Sequence, residues 1–300
     1  MHPDVLIVGG SYAGIAAGLI LARARRPVTV IDAGQPRNRA ASHSHGVLGQ
    51  DGIAGADLLR NARQQLLDYP SVRWVHAEAV EAQADVGGVQ VRTGDGQVLS
   101  ARKLLLATGV ADQLPDLPGL ADRWGSTVLH CPYCHGYEVG GGAIGLLGGH
   151  PMSAAKAPLF ADWGNVTFFS QGLAITDEER AAMHVRGVQI EETPVVAVQG
   201  EQSTWLEVEL ADGRRVAQRA LFVPALQAMA TPLVQQLGCT LAESPMGVLV
   251  EVDAMKQTSI ANVYAAGDAT TVGNITLAMA EGVRAGIGVH HALVSEDSQP

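Results

Sequence analysis

Three hundred residues, 47% of them hydrophobic and 35 of them glycine, are enough for two domains of ordinary size, each with its own core. A net charge of −10 argues against a nucleic-acid or anionic-membrane partner, and no apolar run of about 18 residues free of charges or glycines is available to span a membrane. Three cysteines, and an N-terminus that runs straight into a strand with no room for a signal peptide, lead us to expect a cytoplasmic protein without a structural disulfide framework.

Val5-Leu6-Ile7-Val8 is a continuous apolar run of the kind found in a central parallel strand. It meets Gly9-Gly10-Ser11-Tyr12-Ala13-Gly14, then a helix expected from Ile15 to Arg25, then a strand from Val28 to Ile31 that ends on Asp32. Strand, glycine loop, helix, strand and acid, in that order and spacing, make a dinucleotide site. Loop N–H groups and the helix N-terminus hold a pyrophosphate, and the acid bonds a ribose hydroxyl. Gly9, Ser11, Tyr12, Ala13, Gly14 and Asp32 are therefore candidate cofactor ligands. Ser11 stands where the middle glycine is expected; its Cβ crowds the phosphate slightly, while its hydroxyl can donate.

Arg37, Asn38 and His43-Ser44-His45-Gly46 follow in a loop placed to pass near a flavin ring, which makes Arg37 and His45 candidates; a solvated loop is the alternative for each histidine. Asp57 to Tyr69 has helical periodicity. From Val72 to Leu106 the alternation of apolar residues and the Gly94-Asp95-Gly96 turn fit an antiparallel hairpin set. That set delivers Leu104 to Leu106 onto Ala107-Thr108-Gly109, with Thr108 and Gly109 as candidate ligands. The proline-rich stretch Leu114 to Gly119 is a domain boundary.

Cys131-Pro132-Tyr133-Cys134-His135 carries the most chemistry in the chain. Two cysteines separated by two residues can close a disulfide or open to a dithiol, and a neighbouring base lowers the thiol pKa. His135 can carry a proton near neutral pH. Cys131, Cys134 and His135 are thus the candidate catalytic residues. A c-type haem attachment site, a zinc site and a pair of inert buried cysteines share the same spacing. The first needs export, and the second lacks ligands, since Cys239 is about a hundred residues away.

Beyond Gly140-Gly141-Gly142 the first layout repeats: a strand Ala143 to Leu147, the loop Gly148-Gly149-His150, a helix to Trp163 and a strand Val166 to Phe169. Here His150 takes the middle-glycine position and Pro151 follows it. The second strand ends Ser170-Gln171-Gly172, with neither an acid for a ribose hydroxyl nor arginines for a 2′-phosphate. The expectation is a nucleotide fold whose pocket is weak or empty. Val185 to Val198, Thr204 to Leu210 and Ala220 to Val223 are expected as strands, and Pro224 to Pro232 as a second boundary.

Leu233 to Leu237 is a short helix, Cys239 a packed thiol and Val248 to Val250 a strand. Asn262 to Ala265 runs into Gly267-Asp268, a turn whose aspartate can bond a flavin ribityl hydroxyl. A long helix from Asn274 to Val294, with small residues on one face, follows. Gly267, Asp268, Asn274 and Ile275 complete the candidate cofactor set.

On these motifs (the loop at Gly9, Ala107-Thr108-Gly109, the Cys131/Cys134 pair and Ala265-Ala266-Gly267-Asp268, in this order) the chain resembles the low-molecular-weight thioredoxin reductase family over nearly its whole length. The resemblance implies an α/β protein of two Rossmann-like, FAD/NAD(P)-binding three-layer domains, the second inserted in the first. FAD would be held by residues 1–113 and 231–300, and residues 114–230 would form a pyridine-nucleotide-type domain carrying the cysteines. It also implies a homodimer, with Cys134 against the flavin and Cys131 exchanging with substrate.

Two departures point within the family. His135 stands where the reductases have an aspartate, and Ser170-Gln171-Gly172 stands where they carry a basic His-Arg-Arg segment for NADPH. Both make the chain similar to the FAD-dependent dithiol oxidases that close disulfides in gliotoxin, holomycin and depsipeptide biosynthesis. The expected activity is oxidation of a dithiol to a disulfide with oxygen as acceptor and no metal. The alternative is a reductase drawing electrons from NAD(P)H or ferredoxin. The partner would be a small molecule, a peptide or a thioredoxin-like protein.

Overall fold

In the first strand, Val5 and Ile7 point to one face and Leu6 and Val8 to the other, and all four are buried. A strand buried on both faces needs cover on each side, and the computed structural model, which describes residues 3–200 and 204–299, supplies it. The strand is the centre of a parallel sheet ordered Val263–Ala265, Lys103–Leu106, Val5–Val8, Val28–Asp32, Val72–His76. On the Val5/Ile7 face lie the helices Tyr12–Arg23 and Ile275–Asp297, which share a core with Leu21, Leu66, Leu105 and Val289. On the other face Leu6 and Leu104 pack against Ala82, Val89, Val91 and Leu99 of a three-stranded antiparallel sheet. These elements belong to one compact unit, residues 3–39, 47–111 and 227–299 among those described.

The second unit, residues 40–46 and 112–226, repeats the plan. Its parallel sheet is ordered Gln189–Glu191, Asn165–Phe169, Ala143–Leu147, Ala220–Phe222, Val128–Leu129. Ile144 and Phe168 face the helix Ser153–Phe160, while Leu147, Phe169 and Leu221 face the antiparallel strands Val195–Gln199 and Leu206–Leu210. Each unit is thus a three-layer sandwich of helices, parallel sheet and antiparallel sheet.

Several expected elements need correction. The stretch from Val185 is not continuous strand: Asp177–Val185 is a helix, started by a capping box in which Thr176 and Glu179 satisfy each other's backbone N–H groups. Only Gln189–Glu191 and Val195–Gln199 pair as strands there. Val72–His76 joins the parallel sheet and not the hairpin set, in register with Val28–Asp32. The boundary segment after Pro224 contains a strand, Leu226–Met229, paired with Gly247–Val250. The helix expected to reach Trp163 stops at Phe160, with Pro158 inside it. Among the described residues no helix is long and apolar enough to cross a membrane.

Candidate functional sites: a dinucleotide cradle and a redox disulfide

The glycine loop of the first unit is built by close approach. Gly9 has φ +103, and a Cβ there would lie 2.2 Å from the Ala107 carbonyl oxygen. A Cβ on Gly14 would lie 1.9 Å from the oxygen of Gly9. Gly10 donates its N–H to Asp32 Oδ1 at 3.0 Å, which aims the carboxylate of the second strand at the loop. Ser11 begins the helix with an ordinary extended backbone and no capping bond from its side chain. The first-turn N–H groups at Tyr12, Ala13 and Gly14 therefore face outward with their positive end of the helix dipole.

Thr108 sits where the strand Lys103–Leu106 runs out beside Gly9, and its Oγ1 is buried without a partner. A buried hydroxyl left over beside a glycine cradle is what a site shaped for a bound phosphate or ribose would leave. The residues fit a dinucleotide.

Other predicted ligands have local partners. Arg37 Nη1 lies 2.7 Å from Asp268 Oδ2. Asn38 donates to the Tyr12 hydroxyl at 3.0 Å. Gly267, at φ +78, leaves room for Ala13, whose Cβ would lie 2.9 Å from a Cβ added there. Asn274 is the N-cap of the long helix, its side chain accepting from Leu277 N at 3.0 Å, and Ile275 packs with Tyr12, Val47 and Leu58. Gly109 has φ +66 and open space around it.

In the second unit Cys131 and Cys134 are joined as a disulfide with Cα atoms 5.4 Å apart. Cys131 caps a single helical turn, Pro132–His135, with proline at its first position. That turn rests on Trp163. A Cβ on Gly136 would lie 2.5 Å from the Pro132 oxygen and 2.6 Å from the indole ring, so only glycine fits. The same indole meets the Tyr133 ring edge-on at 5.3 Å. Tyr133 is 73% exposed and Tyr137 88%, so the disulfide is flanked by two exposed phenols. His130, just before Cys131, stacks on Trp124 at 5.5 Å.

His135 is partly buried, and burial pushes its imidazole pKa below the usual value, with Glu138 pulling it up and His45 pushing it down. His45 does not stand alone in a solvated loop: its Nε2 lies 3.2 Å from Glu138 Oε1. Sequence reasoning placed Glu138 at the end of the cysteine stretch but gave it no role. The signal available was its position three residues after His135, one helical turn on. Nothing in the sequence marks His45 as its partner.

The second glycine loop has a different outcome. A Cβ on Gly148 would lie 2.3 Å from the Ser170 oxygen, so the strand-to-loop packing is retained. The His150 side chain folds back onto its own loop, Nδ1 accepting from Met152 N at 3.1 Å. Gln171, in a left-handed conformation at φ +50, grips the edge of the antiparallel sheet. Its oxygen accepts from Val195 N at 2.7 Å and its nitrogen donates to Val195 O at 3.3 Å. Arg214 is tied to Glu191 at 2.7 Å and to Asp212, holding the Glu191 carboxyl down to about 2. Arg180 is paired with Glu192 and Arg186 with Asp162. Cys239, in the first unit, is a buried thiol bonded to Thr258 at 3.7 Å, its pKa raised by burial. Among the described residues no cluster of three or more histidine, cysteine or acidic side chains is arranged to hold a metal.

A family model described as pyridine nucleotide-disulphide oxidoreductase matches residues 3–282. Among curated proteins the chain is 32% identical to thioredoxin reductase tcpT of Claviceps purpurea, covering 88% of this chain and 86% of that one. It is 28% identical to thioredoxin reductase sirT of Leptosphaeria maculans, covering 98% and 95%. Among solved structures it superimposes on an oxidoreductase from Agrobacterium tumefaciens with a TM-score of 0.94 at 41% identity, covering 98% and 99% of the two chains. It superimposes on HlmI with a TM-score of 0.91 at 35% identity, covering 99% and 94%. The chain belongs to the pyridine nucleotide-disulphide oxidoreductases and is a thioredoxin reductase-like flavoprotein enzyme.

Proposed function

We propose that this protein is an FAD-dependent oxidase that turns a dithiol substrate into a disulfide through Cys131 and Cys134 and delivers the electrons to oxygen. The observation that carries the direction is Gln171. In a site for a nicotinamide dinucleotide, the end of the second strand presents a group to the ribose or its phosphate. Here that side chain is bonded twice to the Val195 backbone, and His150 is folded onto its own loop. FAD is held by the first unit, with Gly9, Ser11, Tyr12, Ala13 and Gly14 around the pyrophosphate and Asp32 at the ribose. Thr108, Gly109, Arg37, Gly267, Asp268, Asn274 and Ile275 line the rest of its site.

The chemistry on this chain's side is thiol–disulfide exchange. His135, kept neutral by burial, takes the proton of the substrate thiol. The resulting thiolate attacks Cys131, forming a mixed disulfide and releasing Cys134 as thiolate. The second substrate thiol displaces Cys131, so the substrate loses two electrons and two protons as its own S–S bond forms. FAD, held by the first unit, would supply the two-electron acceptor for the Cys131/Cys134 dithiol, with oxygen as the terminal oxidant.

The test is anaerobic mixing of the yellow protein with dithiothreitol and, separately, with NADPH. Bleaching by the dithiol and none by NADPH is the expected result. Rapid bleaching by NADPH would reverse the electron flow and make the protein a reductase.

A further inference from the structure

Trp74 has no part in the site as described so far. It lies on Val72–His76, the edge strand of the first unit's parallel sheet. It pairs with Val30, while His76 pairs with Asp32, so Trp74 stands one strand away from the ribose acid and two residues short of it. Its indole joins the helix-side core, and its six-membered ring reaches the glycine loop. A Cβ on Gly10 would lie 2.4 Å from both Cζ2 and Cη2 of Trp74 and 2.8 Å from Asp32 Cβ. Residue 10 is thus glycine because the indole and the acid already occupy the place of a side chain. The guanidinium carbon of Arg63 lies 4.3 Å from the centroid of the Trp74 ring and covers one face of it.

What the indole contributes follows from what it lacks. Its Nε1 is buried with no hydrogen-bond partner among the described residues. An unpaired buried donor costs free energy, and phenylalanine at this position would remove that cost. Phenylalanine would also lose the second ring, and with it the contact to Gly10. The useful property is therefore the reach of the ring and not its N–H.

We propose that Trp74 is a positioning residue for the ribose-binding carboxylate. By backing Gly10 and the Asp32 side chain, it keeps the Gly10 N–H on Asp32 Oδ1 at 3.0 Å and the carboxylate turned to the adenosine ribose of FAD. A carboxylate with one oxygen held by a backbone N–H has its second oxygen fixed in direction as well, ready to accept from a ribose hydroxyl. The inference rests on the reading of the first unit as an FAD site and is independent of the direction of electron flow.

The experiment titrates flavin-depleted protein with FAD and with its 2′-deoxyadenosine analogue, following fluorescence, and measures the unfolding midpoint of the same flavin-depleted protein. The proteins are wild type, Trp74→Phe, Gly10→Ala and the double variant. A hydrogen bond to a charged group is worth about tenfold or more in affinity, so wild type should prefer FAD to the analogue by at least about tenfold. In Trp74→Phe, FAD should bind about tenfold more weakly and the preference should fall to about threefold or less, with the midpoint where wild type has it. Gly10→Ala presses a methyl group on the indole and should weaken FAD about tenfold. With phenylalanine at 74 that methyl has room, so the double variant should bind FAD no more weakly than Trp74→Phe alone. A preference in Trp74→Phe equal to that of wild type, or losses that multiply in the double variant, overturns the positioning role and leaves the FAD site standing. A wild-type protein that binds both nucleotides alike removes the Asp32–ribose contact itself, and the FAD reading fails at that residue instead.

Discussion

A histidine partly buried beside a disulfide is useful as a base only if it is neutral when the substrate arrives, and His135 meets that condition because burial penalises its charged form more than Glu138 favours it. General bases of this kind are worth about 10²- to 10⁴-fold in rate, so His135→Ala is expected to slow flavin bleaching by dithiothreitol at least about a hundredfold. Flavin content and the visible spectrum of the oxidised protein should stay as in wild type; a variant with normal turnover would remove the base from the scheme. The sign for stability follows from the same shift. With the folded-state pKa depressed, the unfolded chain binds a proton the folded chain does not as pH falls below the ordinary histidine value. His135 thus withdraws stability between that value and its own lower one. His135 was legible in the sequence as a candidate base because adjacency to Cys134 is written in the chain. The Glu138–His45 pair was not, because it joins positions far apart in sequence through packing of the segment 40–46 against Gly125.

Elements show a similar division. Glycine loops, apolar runs and acid spacing are local, and the strands Val5–Val8, Val28–Asp32, Lys103–Leu106 and Val263–Ala265 of the first unit follow from them, whereas Val72–His76 and Leu226–Met229 do not. The helix Asp177–Val185 was missed because its apolar content is low and it forms through the Thr176–Glu179 capping box, a local hydrogen-bond device with little hydrophobic signature. The long C-terminal helix was expected to have a small-residue face, and packing gives that face its purpose. A Cβ on Gly282 would lie 2.1 Å from the Ala13 carbonyl oxygen, and one on Gly286 would lie 2.9 Å from the Ala17 oxygen. The helix backbone therefore presses directly on the helix that opens the dinucleotide cradle. Gly282→Ala would push the helices apart at Ala13, inside the proposed pyrophosphate loop. Overpacking of this kind costs about 1–3 kcal/mol, which should appear as a lower unfolding midpoint and as flavin lost on gel filtration. A Gly282→Ala protein that keeps both its midpoint and its flavin would mean that this crossing does not support the cradle.

At the scale of the whole molecule, two units with the same three layers have diverged in what their loops do. One keeps an open glycine cradle with the orphaned Thr108 hydroxyl beside it; the other has turned its ligand positions inward, Gln171 onto Val195 and His150 onto Met152. Binding to the folded state alone raises its stability by RT ln(1 + [L]/Kd), about 2.7 kcal/mol at a hundredfold excess over Kd. For a chain of 300 residues, with an unfolding entropy of about 2.1 cal/mol/K per residue, that corresponds to a rise of about 4 °C in the unfolding midpoint. Flavin-depleted protein should therefore gain several degrees when FAD is restored. NADPH at the same concentration should leave the midpoint of the flavin-loaded protein where it was, because the second unit offers the nucleotide a folded loop without free ligands at the end of its second strand. This measurement reads binding and does not depend on turnover, so it tests the second loop separately from the bleaching experiment. A rise with NADPH comparable to that with FAD would show that a nicotinamide dinucleotide seats in the protein despite the Gln171 bridge, and the direction of electron flow argued from that bridge would lose its support.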